Sequence, residues 1–428
     1  MGILRSIIGI FALLFIAYLL SNNRSKISKR VVIGAFLIQL GFAFLTLYTA
    51  VGKQILLFLS NIVTNILAYT KEGTKFVFGG LSTDKMFELF GGDGFIVALE
   101  VLPVILFFAA LSALLFHLGI MQLFVKIIGG GLQKLLGTSK AESMSASANI
   151  FLGVTEAPLV IKPYLGRLSK SEFFTVLVGG VASIAGSMLL AYANFGVKIE
   201  YLIAASFMSA PAGLMFAKIL FPETQSMATL DANISIELAE DQKSANVIDA
   251  VTKGASLGLS LALNIGAMLI VIVALVALMN GLLGWIGGLV GFDLSLDLIL
   301  GWLLSPAAYI MGVEWEEATF AGALLGQKLV FTELLSYSNL MPYLDGQILE
   351  ATGAPLSEKA QIILSFALCS FANIATLAIA IPGIGGMCPE RRTELTEIAV
   401  MALVAALLAN FMNGAIAGLI FELQQLGQ

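Results

Sequence analysis

Charged side chains are scarce in this sequence of 428 residues: they make up 12% of it, about half the share found in an ordinary soluble domain. Hydrophobic residues, by contrast, account for 58%. A chain this long and this apolar is predicted to be a polytopic membrane protein that spans a lipid bilayer. The net charge is −5 and there is no run of basic residues, which argues against nucleic acid as a partner.

Residues that carry chemistry are also few, with two cysteines and one histidine in the whole chain. Cys369 and Cys388 lack CxxC spacing, so they predict neither a disulfide framework nor a metal site. His117 ends an apolar run and is interpreted as a helix-end residue. Without Ser/His pairing or metal-ligand spacing, we expect no enzyme and no cofactor. The absence of a GxxxxGK sequence followed by Ser or Thr argues against ATP-driven transport by this chain.

Residues 6–51 read as two membrane-crossing helices separated by a basic loop. The apolar run 6–20 is followed by four basic residues, Arg24, Lys26, Lys29 and Arg30. A signal peptide would carry its charges mainly ahead of the apolar run, so we expect a retained helix. The positive-inside rule places residues 22–30 in the cytoplasm, and residues 31–51 then return across the membrane. The segment 54–68 suits a helix that lies in the membrane interface.

Two later segments are predicted to be re-entrant hairpins. Residues 120–151 follow a third span at 95–116, which contains Glu100, and they are too polar and too rich in glycine to cross. Residues 295–330 are interrupted by glycine and proline and carry three glutamates, Glu314, Glu316 and Glu317. Backbone of this kind is tolerated at membrane depth only when it is buried in protein.

A broken helix follows each hairpin, and each begins with a Thr-Glu pair in an apolar setting. The first pair is Thr155-Glu156, between a glycine and a proline, and the second is Thr332-Glu333. An ionisable residue at membrane depth is costly and usually marks a substrate or ion pathway. A purely structural alternative is that both glutamates satisfy hairpin-tip amides at helix N-termini.

Small or polar residues are predicted to interrupt each of these helices again near the middle of the membrane. They are Ala182–Ser187 in the first half and Phe371–Thr376 in the second. Two copies of hairpin plus broken helix indicate an inverted repeat with the binding site at the interface between the repeats. This is typical of a secondary transporter, whereas a channel would show a ring-forming filter or a continuous polar stripe.

The chain is accordingly divided into four parts. Residues 1–93 hold the N-terminal helices and the interfacial helix, interpreted as a scaffold. Residues 94–221 hold the third span, the first hairpin, the first broken helix and the span after it. Residues 222–246 form an acidic cytoplasmic connector. Residues 247–428 hold a long tilted helix, the second hairpin, the second broken helix and the last helix.

Short motifs spread over nearly the whole chain resemble the bacterial branch of the concentrative nucleoside transporter family. They are Gly129–Lys134, Ala141–Ala146, Ala148–Phe151, Thr155–Val160, Ala182–Gly186 and Ser365–Cys369. The resemblance implies an all-α polytopic membrane protein with eight transmembrane helices and two re-entrant hairpins, an inverted repeat with discontinuous helices. It also implies a homotrimer in the bacterial cytoplasmic (inner) membrane. Each protomer would import a nucleoside by an elevator-like movement driven by a sodium or proton gradient.

Carried over position by position, the resemblance implies a sodium site and a nucleoside site. The sodium ion would be held by the side chains of Asn149, Thr155 and Ser183 and by the carbonyls of Leu152 and Ile184. The ribose would be bound by Glu333, Asn373 and Thr376, with Phe371 lining the pocket. Val154 would face the base, and Thr155, Glu156 and Met188 would also bind the substrate. Unwound backbone carbonyls suit sodium because they supply oxygen ligands without adding charge.

Four positions depart from the pattern of the family. Val154 stands where the family has a glutamine that bonds the base, Thr332 replaces an asparagine, Thr376 a serine and Glu100 an arginine. The missing glutamine amide predicts altered base selectivity, while ribose recognition and ion coupling are expected to be intact. The prediction is therefore a sodium-driven nucleoside symporter. The alternative is a proton-coupled nucleoside or nucleobase-type carrier with altered base selectivity.

Overall fold

The computed structural model describes residues 2–83, 85–90, 95–225, 244–289 and 291–427, and it confirms the predicted all-α class. In chain order its α-helices are α1 (Gly2–Leu20), α2 (Lys29–Ala43), α3 (Ala50–Phe78), α4 (Lys85–Phe90), α5 (Val97–Glu100), α6 (Leu102–His117), α7 (Ile120–Leu136), α8 (Lys140–Ala148), α9 (Lys170–Ala182), α10 (Gly186–Ala193), α11 (Ile199–Leu220), α12 (Val247–Gly288), α13 (Leu296–Met311), α14 (Trp315–Val330), α15 (Glu333–Leu344), α16 (Glu358–Leu368), α17 (Ile374–Met387) and α18 (Arg392–Leu426). Most of the predicted acidic connector 222–246 lies outside the described residues, as does the predicted boundary between residues 93 and 94.

Eight helical segments in the described part of the chain are long and apolar enough to cross a membrane. They are Gly2–Leu20, Lys29–Tyr48, Ala50–Ser82, Val97–His117, Lys170–Ala193, Ile199–Leu220, Val247–Gly288 and Pro389–Leu426. The third of these contains the segment 54–68, whose location in the membrane interface stays a prediction. The second broken helix is not among the eight because residues 369–373 divide it into α16 and α17, which are each shorter than a span.

Burial separates the helices into an inner and an outer set. In the most apolar stretches of Lys170–Ala193 and Ile199–Leu220, 94% of the residues are buried, whereas in Val247–Gly288 only 11% are. The long helix α12 packs along α6 and turns large apolar side chains such as Ile270 and Trp285 outward. The inner set consists of α9, α10, α11, α16 and α18, and α1 and α2 pack against α11 and α18. The scaffold role of residues 1–93 stays a prediction.

Both predicted hairpins are pairs of helices joined by a tight turn. In the first, α7 and α8 are connected through Gly137, whose φ of 71° is a left-handed conformation that glycine adopts without strain. A capping box starts α8: the Ser139 hydroxyl accepts the Glu142 N–H, and the Glu142 carboxylate accepts the Ser139 N–H. Glu142 also forms a buried ion pair with Lys218 of α11. In the second hairpin, α13 and α14 are bent by 115°, and Gly312 at the bend has a φ of 114°.

A broken helix follows each hairpin, as predicted. In the first half a 3₁₀-helix, Ala157–Arg167, precedes α9 and α10, and in the second half α15 precedes α16 and α17. The loop after α15 contains a short antiparallel strand pair, with Ile348 opposite Pro355 and Leu349 opposite Ala354. The backbone N–H of Phe371 donates to the carbonyl of Ser183 over 3.0 Å. The breaks of the two repeats therefore meet inside the protein.

Candidate functional site

The candidate site is built from the two helix breaks and the loop that leads into the first. The first break joins the hairpin loop because the N–H of Gly186 donates to the carbonyl of Phe151 over 2.9 Å. At the second break the side-chain oxygen of Asn373 accepts the N–H of Thr376 over 2.7 Å and caps α17. Irregular backbone buried in this way leaves carbonyl and N–H groups available to a ligand at membrane depth.

The amide of Asn149 is the clearest feature at the first break. It lies just after α8 and is 1% exposed. Neither its oxygen nor its nitrogen has a hydrogen-bond partner among the residues that the structure describes. The amide lies against the last turns of α9, since a Cβ added at Gly179 would be 3.0 Å from its nitrogen. A buried polar group without a partner costs about 1–3 kcal/mol, so this amide is expected to bind a ligand.

The other predicted sodium ligands surround the same region. The Ser183 hydroxyl donates to the carbonyl of Gly180 over 3.2 Å, one turn back in α9. Leu152 and Ile184, whose carbonyls were assigned to sodium, are both buried. Thr155 is half-buried, and its methyl group lies against α17, where a Cβ added at Gly383 would be 2.5 Å from it. The donor set is oxygen-rich and its side chains are uncharged, which fits the coordination preference of a sodium ion.

Glu156 borders an apolar cavity of about 300 Å³ between the first repeat and the outer helices α6 and α12. One of its carboxylate oxygens accepts the N–H of Gly153 over 3.2 Å, so part of its capacity satisfies the hairpin loop. The cavity is also lined by His117, the last residue of α6, and by Lys253 of α12. The volume is at the lower end of the range for small-molecule sites.

Glu333 is enclosed rather than open. It is 3% exposed, and each of its carboxylate oxygens already has a donor. The Tyr192 hydroxyl donates to one over 2.6 Å, and the side-chain amide of Asn373 donates to the other over 2.7 Å. Glu333 and Asn373 are therefore brought together as predicted. They do not line the cavity that contains Glu156.

Sequence reasoning missed Tyr192. Its ring lies against that of Tyr337, tilted by 35° with centroids 4.6 Å apart, and the Tyr337 hydroxyl donates to the carbonyl of Ser365 over 2.9 Å. The available signal was a hydroxyl-bearing aromatic residue late in a broken helix that already carried other polar positions. Its contact with Glu333, 141 residues further along the chain, is a tertiary contact that no local pattern announces.

Sequence reasoning also missed Lys328, in the last turn of α14. It is fully buried, and its ammonium donates to the carbonyl of Ala367 and to the hydroxyl of Ser370, each over 2.7 Å. A lysine inside a predicted re-entrant hairpin is by itself a functional signal, because a charge at membrane depth is costly. The surrounding glycines and apolar residues gave no indication of its acceptors.

The remaining predicted site residues are distributed around these features. Val154 is 7% exposed and packs against α9, since a Cβ added at Gly180 would be 2.8 Å from its side chain. Met188 and Thr376 are buried, and Phe371 is half-buried. Glu100 lies elsewhere: its carbonyl accepts from the Asn194 amide over 2.6 Å and its carboxylate is 3.9 Å from the Lys71 ammonium.

Models of three protein-family segments match this chain. The Na⁺ dependent nucleoside transporter C-terminus matches residues 201–418, and the corresponding N-terminus matches residues 8–81. A nucleoside recognition segment matches residues 98–198. The three segments together cover the inner and the outer helices and both repeats.

Individual proteins match over almost their entire length. An uncharacterized transporter of Haemophilus influenzae is 48% identical over 425 residues, which are 99% of this chain and 99% of that protein. The nucleoside permease NupC of Helicobacter pylori is 45% identical over 421 residues, covering 98% of both chains. Among solved structures, CNTnw in an inward-facing substrate-bound state superposes with a TM-score of 0.92 at 48% identity, covering 99% of both chains.

Proposed function

The chain belongs to the concentrative nucleoside transporter family and is a multi-pass membrane transporter for nucleosides, and from this premise we propose that it couples uptake to the sodium gradient. It would act as a symporter in the bacterial cytoplasmic membrane, as a homotrimer, with elevator-type alternating access. The observation that carries the sodium assignment is the Asn149 amide, buried at the end of α9 with neither polar atom paired among the described residues.

Sodium fits this position better than a proton does. The side chains assigned to the ion, Asn149, Thr155 and Ser183, are an amide and two hydroxyls, and none of them takes up a proton near neutral pH. An amide oxygen, a hydroxyl oxygen and the carbonyls freed by the helix break are the oxygen ligands that a discontinuous membrane helix offers to sodium. Binding of the ion would satisfy the Asn149 oxygen, which lacks a partner among the described residues.

The nucleoside is proposed to lie between the two repeats. Glu333 and Asn373 would bind the ribose hydroxyls, because a carboxylate accepts two hydrogen bonds and charge-assisted bonds are the stronger kind. Thr376 and Phe371 would complete the ribose side, and Val154, Thr155, Glu156 and Met188 the base side. The cavity next to Glu156 would give the substrate access to the first repeat from the side of α6 and α12.

The elevator mechanism is supported by the separation of inner and outer helices. The residues assigned to ion and substrate lie in or beside the inner set, whereas α6 and α12 pack along each other outside it. We propose that the inner set moves against α6 and α12, and that the exposed apolar surface of α12 contributes to the contact between protomers. Within the alternative, altered base selectivity has one observation in its favour, the apolar side chain of Val154 at the position where the family has a base-reading amide.

The proposed function is tested with purified protein in proteoliposomes. Counterflow of a labelled nucleoside separates a carrier from a channel, since only a carrier exchanges internal for external substrate. Uptake at fixed pH should rise steeply with external sodium, with choline used to keep the ionic strength constant. Asn149→Leu should abolish that rise while the protein still assembles in the membrane. Equal uptake in sodium and choline, driven by a pH gradient instead, would overturn the sodium assignment.

A further inference from the structure

The broken helices of the two repeats end in the same way. In α9 the last turn presents the carbonyl of Gly180 and the hydroxyl of Ser183, three residues apart. In α16 the last turn presents the carbonyl of Ala367 and the hydroxyl of Ser370, also three residues apart. Both are C-terminal ends of half-helices inside the protein, where partial negative charge favours a cation.

The groups that face these two ends differ in kind. Next to the end of α9, at Gly179, the neighbour is the Asn149 amide, uncharged and without a partner among the described residues. The Ser183 hydroxyl there turns back onto the Gly180 carbonyl. At the end of α16 the neighbour is the fully buried ammonium of Lys328, which donates to the Ala367 carbonyl and the Ser370 hydroxyl over 2.7 Å each.

We propose that the ammonium of Lys328 is the built-in cation of the second repeat, in the place that a sodium ion takes at the first, so that each protomer binds one sodium ion per nucleoside. This inference rests on the proposed sodium coupling and deepens it. The lysine arrives from the hairpin of its own repeat, as Asn149 does in the first, and it ends at the matching helix end. A second sodium ion has no place there, because the ammonium already uses both acceptors.

The charges of the two repeats then match. Each repeat has a glutamate at the start of the segment after its hairpin, Glu156 in the first and Glu333 in the second. In the second repeat the counter-charge belongs to the chain itself, since Lys328 lies five residues before Glu333 and its ammonium is held by the Ala367 carbonyl and the Ser370 hydroxyl. In the first repeat the counter-charge is a sodium ion that comes and goes. Only the first repeat would therefore respond to the sodium gradient.

The test is a sodium titration of nucleoside binding to wild-type protein, Lys328→Ala and Lys328→Met. The probe is radiolabelled uridine or adenosine, whichever the wild type binds more tightly, with choline keeping ionic strength constant. Wild type should give a Hill coefficient for sodium of about one. Lys328→Ala should bind weakly at low sodium and recover at high sodium with a coefficient approaching about two, because the vacated space admits a second ion.

Lys328→Met is the matched control, since methionine fills the space without supplying a charge. It should bind the nucleoside roughly thirtyfold or more weakly at every sodium concentration, as expected when one partner of a buried charge pair is lost. If Lys328→Ala recovers no more than Lys328→Met, or if both bind as wild type does, the inference is wrong while sodium coupling stands. If nucleoside binding to the wild-type protein does not depend on sodium concentration, both the proposed coupling and this inference are wrong.

A measurement on wild-type protein alone covers the case in which the variants fail to fold. Parallel fluxes of labelled sodium and labelled nucleoside into proteoliposomes give the coupling ratio directly. The expected ratio is about one ion per nucleoside, because the number of exchangeable cation sites sets it. A ratio of two would show that the second repeat holds a mobile sodium ion in spite of Lys328.

Discussion

Each of the two repeats of this transporter is a hairpin followed by a broken helix, and the side chains that complete them differ. In the first repeat Asn149 is buried without a partner among the described residues, and Glu156 borders an open cavity. In the second, Glu333 has a donor on each carboxylate oxygen and Lys328 has two acceptors at the end of α16. Because an unpaired buried polar group costs about 1–3 kcal/mol, we expect a ligand to stabilise the first repeat, whereas the polar groups of the second are satisfied without one.

This difference assigns different energetic roles to the two ligands. Sodium binding at Asn149 would add interactions to a site that lacks them, so the ion contributes affinity and holds the first repeat in one arrangement. Ribose binding at Glu333 would exchange existing hydrogen bonds for new ones, so the net gain in binding free energy would be small. A ligand that cannot form the new hydrogen bonds would bind much more weakly. The second repeat is accordingly expected to supply specificity for the sugar.

The largest effect is expected from Glu333→Gln, which removes the central acceptor of the second repeat. Glutamine has one acceptor oxygen where Tyr192 and Asn373 both donate, and Lys328 loses its counter-charge. We expect nucleoside binding and uptake to weaken by about 2–5 kcal/mol. The measurement is uptake and equilibrium binding in proteoliposomes, with the exposed loop residue Glu350→Gln as control. Wild-type affinity in Glu333→Gln would show that this carboxylate does not bind the ribose.

A smaller effect is expected where the two repeats touch, at Gly383 of α17. A Cβ there would be 2.5 Å from the Thr155 methyl group, so Gly383→Ala must displace a predicted sodium ligand. Overpacking of this kind costs about 1–3 kcal/mol. We therefore expect Gly383→Ala to lower both the sodium affinity and the Tm. Gly386→Ala in the same helix is the matched control, because nothing lies within 4 Å of its added Cβ. Equal sodium dependence in both variants would show that Thr155 is not a sodium ligand.

Tyr192→Phe tests the same carboxylate of the second repeat, and it is expected to strengthen nucleoside binding where Glu333→Gln weakens it. If the ribose displaces the Tyr192 hydroxyl from Glu333, removing that hydroxyl leaves an acceptor free for the ligand. The nucleoside should then bind more tightly by about 0.5–1.5 kcal/mol, the net value of one hydrogen bond. Tyr337→Phe serves as control, since its hydroxyl bonds the Ser365 carbonyl and its loss should lower Tm without improving binding. Weaker binding in Tyr192→Phe would mean that this hydroxyl contacts the substrate itself.

Sequence reasoning predicted the fold class correctly and proposed chain positions for the site, because polar residues are rare in an apolar chain. Thr155-Glu156, Thr332-Glu333 and the two breaks stood out against their surroundings, and the structure brings Phe371 of one break onto Ser183 of the other. The hairpins were recognisable because glycine, proline and polar residues interrupt two segments that would otherwise be long enough to cross. Family resemblance supplied the roles of individual residues, which composition and spacing did not.

The contacts that distinguish the two repeats could not be predicted in the same way. Tyr192 meets Glu333 across 141 residues, and Lys328 meets Ala367 across 39. Such pairings depend on how hairpins and broken helices pack. A periodic sequence pattern shows which face of a helix is buried, and it does not show which residues of another helix that face contacts. The second broken helix also escapes a length criterion for spans, because its interruption at 369–373 leaves two short halves.

The smallest effect is expected at Val154, where the first repeat lacks the amide that reads the base in the family. Val154 is 7% exposed and packs against Gly180, so its side chain offers only apolar contacts to a base bound beside it. Apolar contacts discriminate between ligands by only about 1–3 kcal/mol, so several bases should be tolerated. Val154→Gln should restore a donor and an acceptor and shift selectivity by about 1 kcal/mol, with uridine as the beneficiary and sodium dependence unchanged. The measurement is competition uptake with uridine, cytidine, adenosine and guanosine on both proteins, and Val154→Leu controls for the change in size. Identical inhibition profiles would place position 154 in the packing against α9 and outside the base pocket.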